Sequence, residues 1–171
     1  YAPGDRENLN KLPRLSIDYE SLREQLQSRY VVISGGEPLF HQDFEELLES
    51  LLGDNFEVAV ETSGAKAFPF EKFPQVWVTF SPKLHAKDYL KGQPSPTFWT
   101  HSKEIKVVIS EPSDLYFYED LLDQASASEI PVFLQPEWSK REFLTSFILT
   151  TLRKKPAWKF SIQQHKYLKL P

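Results

Sequence analysis

Tyr30-Val31-Val32-Ile33-Ser34-Gly35-Gly36 is short, apolar, rich in β-branched residues and stopped by two glycines. An unbroken apolar run of this length predicts a buried strand of a parallel sheet rather than the alternating strand of a half-exposed one. The same unit recurs along the chain. Upstream, Leu15, Tyr19, Leu22 and Leu26 fall at helical spacing, with Ser16 or Asp18 placed to cap. Downstream, Phe44, Leu47, Leu48, Leu51 and Leu52 predict a helix stopped at Gly53. Phe56–Val60 then predicts a strand running into Glu61-Thr62-Ser63-Gly64. Further strands are expected at Val76–Phe80, ending in Ser81-Pro82-Lys83, and at Ile105–Ile109. Pro131–Leu134 should end in Gln135-Pro136, and Trp158–Ile162 should run into Gln163-Gln164-His165.

Helices fill the intervals. One is expected from Pro112 to about Ala125. Another is marked by Ser139 and Glu142 at capping-box spacing, with Phe143, Phe147 and Ile148 as its apolar face. Arg153-Lys154-Lys155 would offset its dipole before Pro156. Leu90–Thr100, with Gly92, Pro94 and Pro96, reads as a long loop. Six strands mostly separated by helices make a parallel α/β sheet. They are too few for a closed eight-stranded barrel, and fit an open sheet or a partial barrel whose opening strands lie upstream. No domain boundary is evident, so residues 1–171 read as a single domain.

Of the 171 residues, 40% are hydrophobic and 26% charged, enough apolar material for a buried core. A net charge of −4 argues against a polyanion-binding surface, so no nucleic-acid partner is expected. No apolar run approaches the ~20 residues of a membrane helix, and Tyr1–Asp5 lacks a signal peptide's apolar region. The absence of cysteine rules out thiolate zinc sites, cysteine nucleophiles and cysteine-held iron–sulfur clusters within these residues. Methionine is absent too, even at position 1. The sequence therefore reads as a fragment, or as one from which modified residues such as selenomethionine are missing.

Ligands of parallel α/β proteins bind beyond the carboxyl ends of the strands. The unusual polar residues cluster there: Gly35-Gly36-Glu37-Pro38, Glu61-Thr62-Ser63-Gly64, Ser81-Pro82-Lys83, Gln135 and His165. Singly, each has an ordinary explanation. Adjacent glycines mark turns, Thr62 and Ser63 are common turn residues, and lysines and histidines are usually solvated. Together they point to one rim, where paired glycines would admit a ligand to the backbone and Glu37 would offer a carboxylate to an ammonium group. His41, His85 and His101 have no metal-ligand spacing, so no metal site is expected from this chain alone. No Walker loop, GxGxxG, GxSxG or HExxH is present.

Val31-Val32-Ile33-Ser34-Gly35-Gly36-Glu37-Pro38-Leu39 resembles the GGEP segment of radical S-adenosylmethionine (SAM) enzymes. Val60-Glu61-Thr62-Ser63-Gly64, Phe80-Ser81-Pro82-Lys83, Glu104-Ile105-Lys106-Val107-Val108, Leu134-Gln135-Pro136 and the closing run from Ser161 to Pro171 narrow the resemblance to the 7-carboxy-7-deazaguanine synthases. The resemblance spans residues 30–171. It implies a partial (βα) barrel of the radical SAM type that converts 6-carboxy-5,6,7,8-tetrahydropterin to 7-carboxy-7-deazaguanine, a precursor of queuosine and related 7-deazapurines. An iron–sulfur (4Fe-4S) cluster would reduce SAM, and the 5′-deoxyadenosyl radical would take a hydrogen from the pterin, whose ring contracts with loss of ammonia.

By the same resemblance, Gly35, Gly36 and Glu37 should meet the aminocarboxylate end of SAM. Gly64, Ser81, Pro82, Lys83, Gln135 and Pro136 should line the rest of its site. Thr62, His165 and the terminal carboxylate of Pro171 should contact the pterin. A flavodoxin-like electron donor, a homodimer and a cytoplasmic location are also implied. The family's cluster cysteines, its first strand and a Mg²⁺-ligating threonine precede the part matched here, and Tyr1-Ala2 resembles residues just after the cluster loop. The chain is therefore expected to lack its cluster segment, to be inactive alone and to end at its natural C-terminus. Ala65 stands where relatives often carry threonine. Two alternatives stay open: a degenerate homologue that binds a nucleotide or pterin without chemistry, and an α/β protein whose Gly35-Gly36 cradles a phosphate.

Overall fold

The computed structural model describes residues 16–84 and 94–168, with only the backbone at His165. Among these residues six strands form one sheet: β1 (Tyr30–Ile33), β2 (Glu57–Thr62), β3 (Trp77–Phe80), β4 (Glu104–Ile109), β5 (Val132–Pro136) and β6 (Trp158–Phe160). Every neighbouring pair is parallel, and the spatial order is the sequence order. An unreversed order means that successive crossovers, which share one hand, fall on the same side of the sheet. A doubly wound sheet reverses instead and carries helices on both sides. The architecture is therefore an unclosed barrel segment.

The register sorts side chains into two faces. Val60 pairs with Val78, Thr62 with Phe80, Phe80 with Ile105, Val107 with Leu134, and Val132 with Trp158, so all share a face. Each of them is buried. That face is covered by α2 (Phe44–Gly53), α4 (Glu119–Ala127) and α5 (Arg141–Lys154), which contribute Leu48, Leu51, Leu122, Leu144 and Ile148. The opposite face carries Ala59, Glu61, Thr79, Lys106 and Gln135, and it is open at the β1 end. There Tyr30 and Val32 are 57% and 59% exposed, which corrects the expectation of a strand buried on both sides. A continuous apolar run cannot say whether a second layer is present, and one-sided crossovers supply only one.

Several local expectations also change. α1 (Tyr19–Gln25) is capped by Asp18, whose carboxylate accepts from Ser21 N (3.0 Å). α2 ends at Gly53, but the left-handed residue is Asn55 (φ 63°), which lets Asn55 N and Phe56 N reach Leu52 O and Leu51 O. The second half of the expected loop is a helix, α3 (Pro96–His101), and its Phe98 is buried against Phe80; residues 85–93 lie outside the described part. The helix expected from Pro112 is a 3₁₀ segment, Pro112–Phe117, followed by α4. A 3₁₀ turn, Trp138–Lys140, precedes α5, and its cap is Glu137 rather than Ser139. The Glu137 carboxylate takes Ser139 N (3.0 Å) and Lys140 N (3.2 Å), and no side chain caps α5 itself. Lys155 does more than offset a dipole, because it pairs with Glu119 (3.0 Å) and Asp123 (2.5 Å) of α4.

The buried face of α5 is Leu144 and Ile148, whereas Phe143 is 67% exposed. Leu144→Ala should therefore cost about 3 kcal/mol in urea denaturation, the usual result of emptying a filled core position. Phe143→Ala should stay within about 0.5 kcal/mol of the parent. A reversed order would contradict this orientation of the helix.

Candidate functional site

At the β1 exit the chain turns through Gly35 (φ 84°) and Gly36 (φ 44°), both left-handed. No heavy atom lies within 4 Å of where a Cβ would stand on either glycine. The turn leaves this backbone open to a ligand. Gly64 differs: φ is 73°, and a Cβ there would stand 2.6 Å from Phe80 Cε2 and 3.1 Å from Phe98 Cδ2. It is required by packing.

Glu37 ties the first two strand exits together. Its Oε1 accepts from Thr62 Oγ1 (2.6 Å) and more distantly from Leu39 N (3.4 Å), and its Oε2 accepts from Ser63 N (2.9 Å) and from the Ser63 hydroxyl. A carboxylate offers about four acceptor positions, and here four donors occupy them. Thr62 is 2% exposed, and its hydroxyl also accepts from Gly64 N (3.0 Å). Thr62 lies in register with Phe80 on the helix-covered face, so its neighbour Glu61 is the residue of this exit that faces the open side.

On that side a cleft of about 580 Å³ is lined by Ser81, Lys83 and Gln135 from the expected set. Glu61, Lys106 and the turn after β6, including Gln163, Gln164 and Leu168, complete its walls. Lys106 Nζ lies 2.6 Å from Glu61 Oε1. Lys83 donates to Ser81 Oγ (3.2 Å), and Ser161 donates to Gln135 Oε1 (3.2 Å). Burial, reinforced by the like charge of Lys106, holds Lys83 below the ordinary lysine range, and Glu61 and Glu37 offset only part of this. Pro82 and Pro136 are buried, and Pro82 O accepts from the Tyr118 hydroxyl (3.2 Å). His165 falls within α6 (Gln164–Tyr167), beside cleft-lining Gln164, while Pro171 lies outside the described residues.

The sequence places Glu61 on the rim without assigning it a role, and it assigns none to Lys106. Alternation was the available signal: in Val58-Ala59-Val60-Glu61-Thr62 the valines and Thr62 share one face and Glu61 takes the other. A lysine inside Ile105-Lys106-Val107 marks a polar face in the same way.

Lys83 and Gln135 line the cleft, whereas Gly35, Gly36 and Glu37 at the β1 exit are not among its lining residues. An ammonium and an amide in this cleft suit a polar ligand that carries hydrogen-bond acceptors. An iron–sulfur cluster does not fit, because the chain has no cysteine. Among the described residues no group of three or more His, Asp or Glu is placed to hold a metal ion, and no helix is long and apolar enough to cross a membrane.

No protein-family model matches the chain. It is 36% identical over 144 residues to the 7-carboxy-7-deazaguanine synthase of Flavobacterium psychrophilum, covering 84% of this chain and 63% of that protein. Identity to the 7-carboxy-7-deazaguanine synthase of Synechocystis is 33% over 143 residues, covering 81% and 61%. The crystal structure of QueE from Escherichia coli superposes with a TM-score of 0.65 at 27% identity, over 84% of this chain and 63% of that one. The chain thus spans somewhat less than two thirds of the length of these relatives.

Proposed function

This chain is homologous to the 7-carboxy-7-deazaguanine synthases, and from that premise we propose that it forms the SAM- and pterin-facing part of such an enzyme. The reaction is the ring contraction of 6-carboxy-5,6,7,8-tetrahydropterin to 7-carboxy-7-deazaguanine, on the route to queuosine and other 7-deazapurines. The observation that carries this reading is the convergence of Glu61, Ser81, Lys83, Gln135 and Gln164 on one cleft at the carboxyl ends of four strands and their exits.

Gly35 and Gly36 would admit the aminocarboxylate end of SAM to the backbone, and Ser81, Lys83 and Gln135 would line the remainder. Glu37 would act by fixing the two loops and by its charge, since its oxygens are already taken up by Thr62, Ser63 and Leu39. When bound, SAM would supply the chemistry that removes hydrogen from the substrate, with Gly35, Gly36, Ser81, Lys83 and Gln135 holding it. The pterin's guanidine-like edge presents two N–H donors, which suits a carboxylate. Glu61 is so placed: Lys106 holds one oxygen, and the other has no hydrogen bond among the described residues. We therefore assign the substrate contact of the β2 exit to Glu61 rather than Thr62, and we keep His165 and Pro171 as proposed pterin contacts. The reading carries with it a 4Fe-4S cluster and Mg²⁺ held outside these residues, a flavodoxin-like electron donor, a homodimer and a cytoplasmic location.

The full-length protein, loaded with its cluster and given SAM, a reductant and the tetrahydropterin, should release 7-carboxy-7-deazaguanine and ammonia, read by mass spectrometry. SAM binding without product would overturn the assignment in favour of a binding-only homologue.

The lowered Lys83 pKa gives a pH test. As pH rises, its ammonium is lost before the ~10.4 of ordinary lysine, so SAM affinity measured by calorimetry should fall in that interval. Lys83→Gln should bind more weakly, and the part of the decline due to Lys83 should vanish. The stability linkage has the opposite sign. The unfolded chain binds the proton more tightly, so the penalty of burying charged Lys83 is relieved, and stability gained, as pH rises through the lowered pKa. Identical affinity profiles for parent and variant would remove Lys83 from the site.

A further inference from the structure

We propose that Trp138 is a positioning residue that latches the turn after β6 across the cleft, an inference that rests on the cleft being the ligand site. α6 has four residues, carries cleft-lining Gln164 and is followed by cleft-lining Leu168. Its own hydrogen bonds are Lys166 N to Gln163 O (3.0 Å), a longer one from Tyr167 N (3.4 Å) and Leu168 N to Gln164 O (2.9 Å). A helix this short is not stable by itself, because nucleation costs more than so few bonds return. Burial does not hold it either, since Tyr167 and Leu168 are 54% and 67% exposed.

The Trp138 indole provides the attachment. Tyr167 meets it edge-on, with centroids 4.9 Å apart and planes at 84°. Lys166 Nζ lies 5.7 Å from the ring centroid, near enough for its charge to help hold the Glu137 carboxyl below the usual carboxylate range. Burial pushes Glu137 up, but hydrogen bonds from Ser139 and Lys140 and the charge of Lys166 outweigh it, so Glu137 stays anionic. The Arg141 guanidinium lies 4.2 Å from the ring centroid, and its Nη1 donates to Trp138 O (3.0 Å), which fixes the indole in place. Trp138 follows Gln135-Pro136 by two residues, so the segment that ends one wall of the cleft grips the turn that forms the other. Edge-to-face and cation–π contacts of this kind are individually modest and together sufficient to order one turn.

Trp138 is half-buried and outside the hydrophobic core, so the sheet should survive its removal. Three full-length proteins decide the matter: parent, Trp138→Ala and Trp138→Phe. In Trp138→Ala the amides of Lys166 and Leu168 should exchange hydrogen about ten-fold faster, the weight of one strong contact, with β5 and α5 unchanged. KM for the tetrahydropterin should rise about ten-fold while kcat holds, and Trp138→Phe, which keeps an aromatic ring, should restore both. Unchanged exchange in Trp138→Ala would overturn the latch. Faster exchange with an unchanged KM would overturn its role in positioning the site. A parent protein that does not turn over the pterin would contradict the proposed function instead, and the exchange comparison would still decide the latch.

Discussion

Gly64→Ala should destabilise the protein by about 2 to 5 kcal/mol, combining the penalty for a left-handed alanine with that of overpacking. Against a typical total of ~5–15 kcal/mol this is a large fraction. The new methyl group would be driven toward Phe80 Cε2, which it would approach to 2.6 Å. Phe80 cannot yield easily, because it is fully buried, stacked on Phe98 at 5.2 Å and met edge-on by Trp99 at 4.8 Å. Gly36→Ala is the control. It shares the left-handed backbone but has open space around it, so it should cost about 1 to 2 kcal/mol and weaken SAM binding disproportionately. Urea denaturation and calorimetry separate the two. Equal destabilisation would mean that packing around Gly64 relaxes freely and that the two glycines serve the same purpose.

Glu37→Ala should cost about 2 to 4 kcal/mol, because the Thr62 hydroxyl and Ser63 N lose their acceptor and an unpaired buried donor bears its full desolvation cost. Thr62 is 2% exposed, so water reaches it poorly. With the two loops released, SAM affinity should fall in parallel. Glu37→Gln keeps one acceptor oxygen and should lie between parent and alanine variant on both scales. If Glu37 instead acted only by touching the SAM ammonium, Glu37→Gln would lose affinity at full stability. That split would contradict the hub.

How much was legible follows from which signals are local. The six strands and the rim were readable because apolar runs ending in glycine, proline and polar clusters are local features. The face of each residue is readable in principle from alternation, which puts Thr62 on the face of Val58 and Val60 and Glu61 on the other. Phe98 was hidden in a stretch read as loop, although Pro96 at the first helical position is itself a start signal. Glu137 displaced Ser139 as a cap because its longer side chain reaches two successive backbone amides. The Glu61–Lys106 pair, 45 positions apart, depends on the β2–β3–β4 order, which only the folded sheet supplies.

A crystal structure of the full-length protein with SAM bound tests the central claim most directly. The ligand should lie at the carboxyl ends of the strands, its aminocarboxylate end against Gly35 and Gly36 and the remainder along Ser81, Lys83 and Gln135. SAM seated anywhere else, with those residues in contact only with solvent, would contradict it.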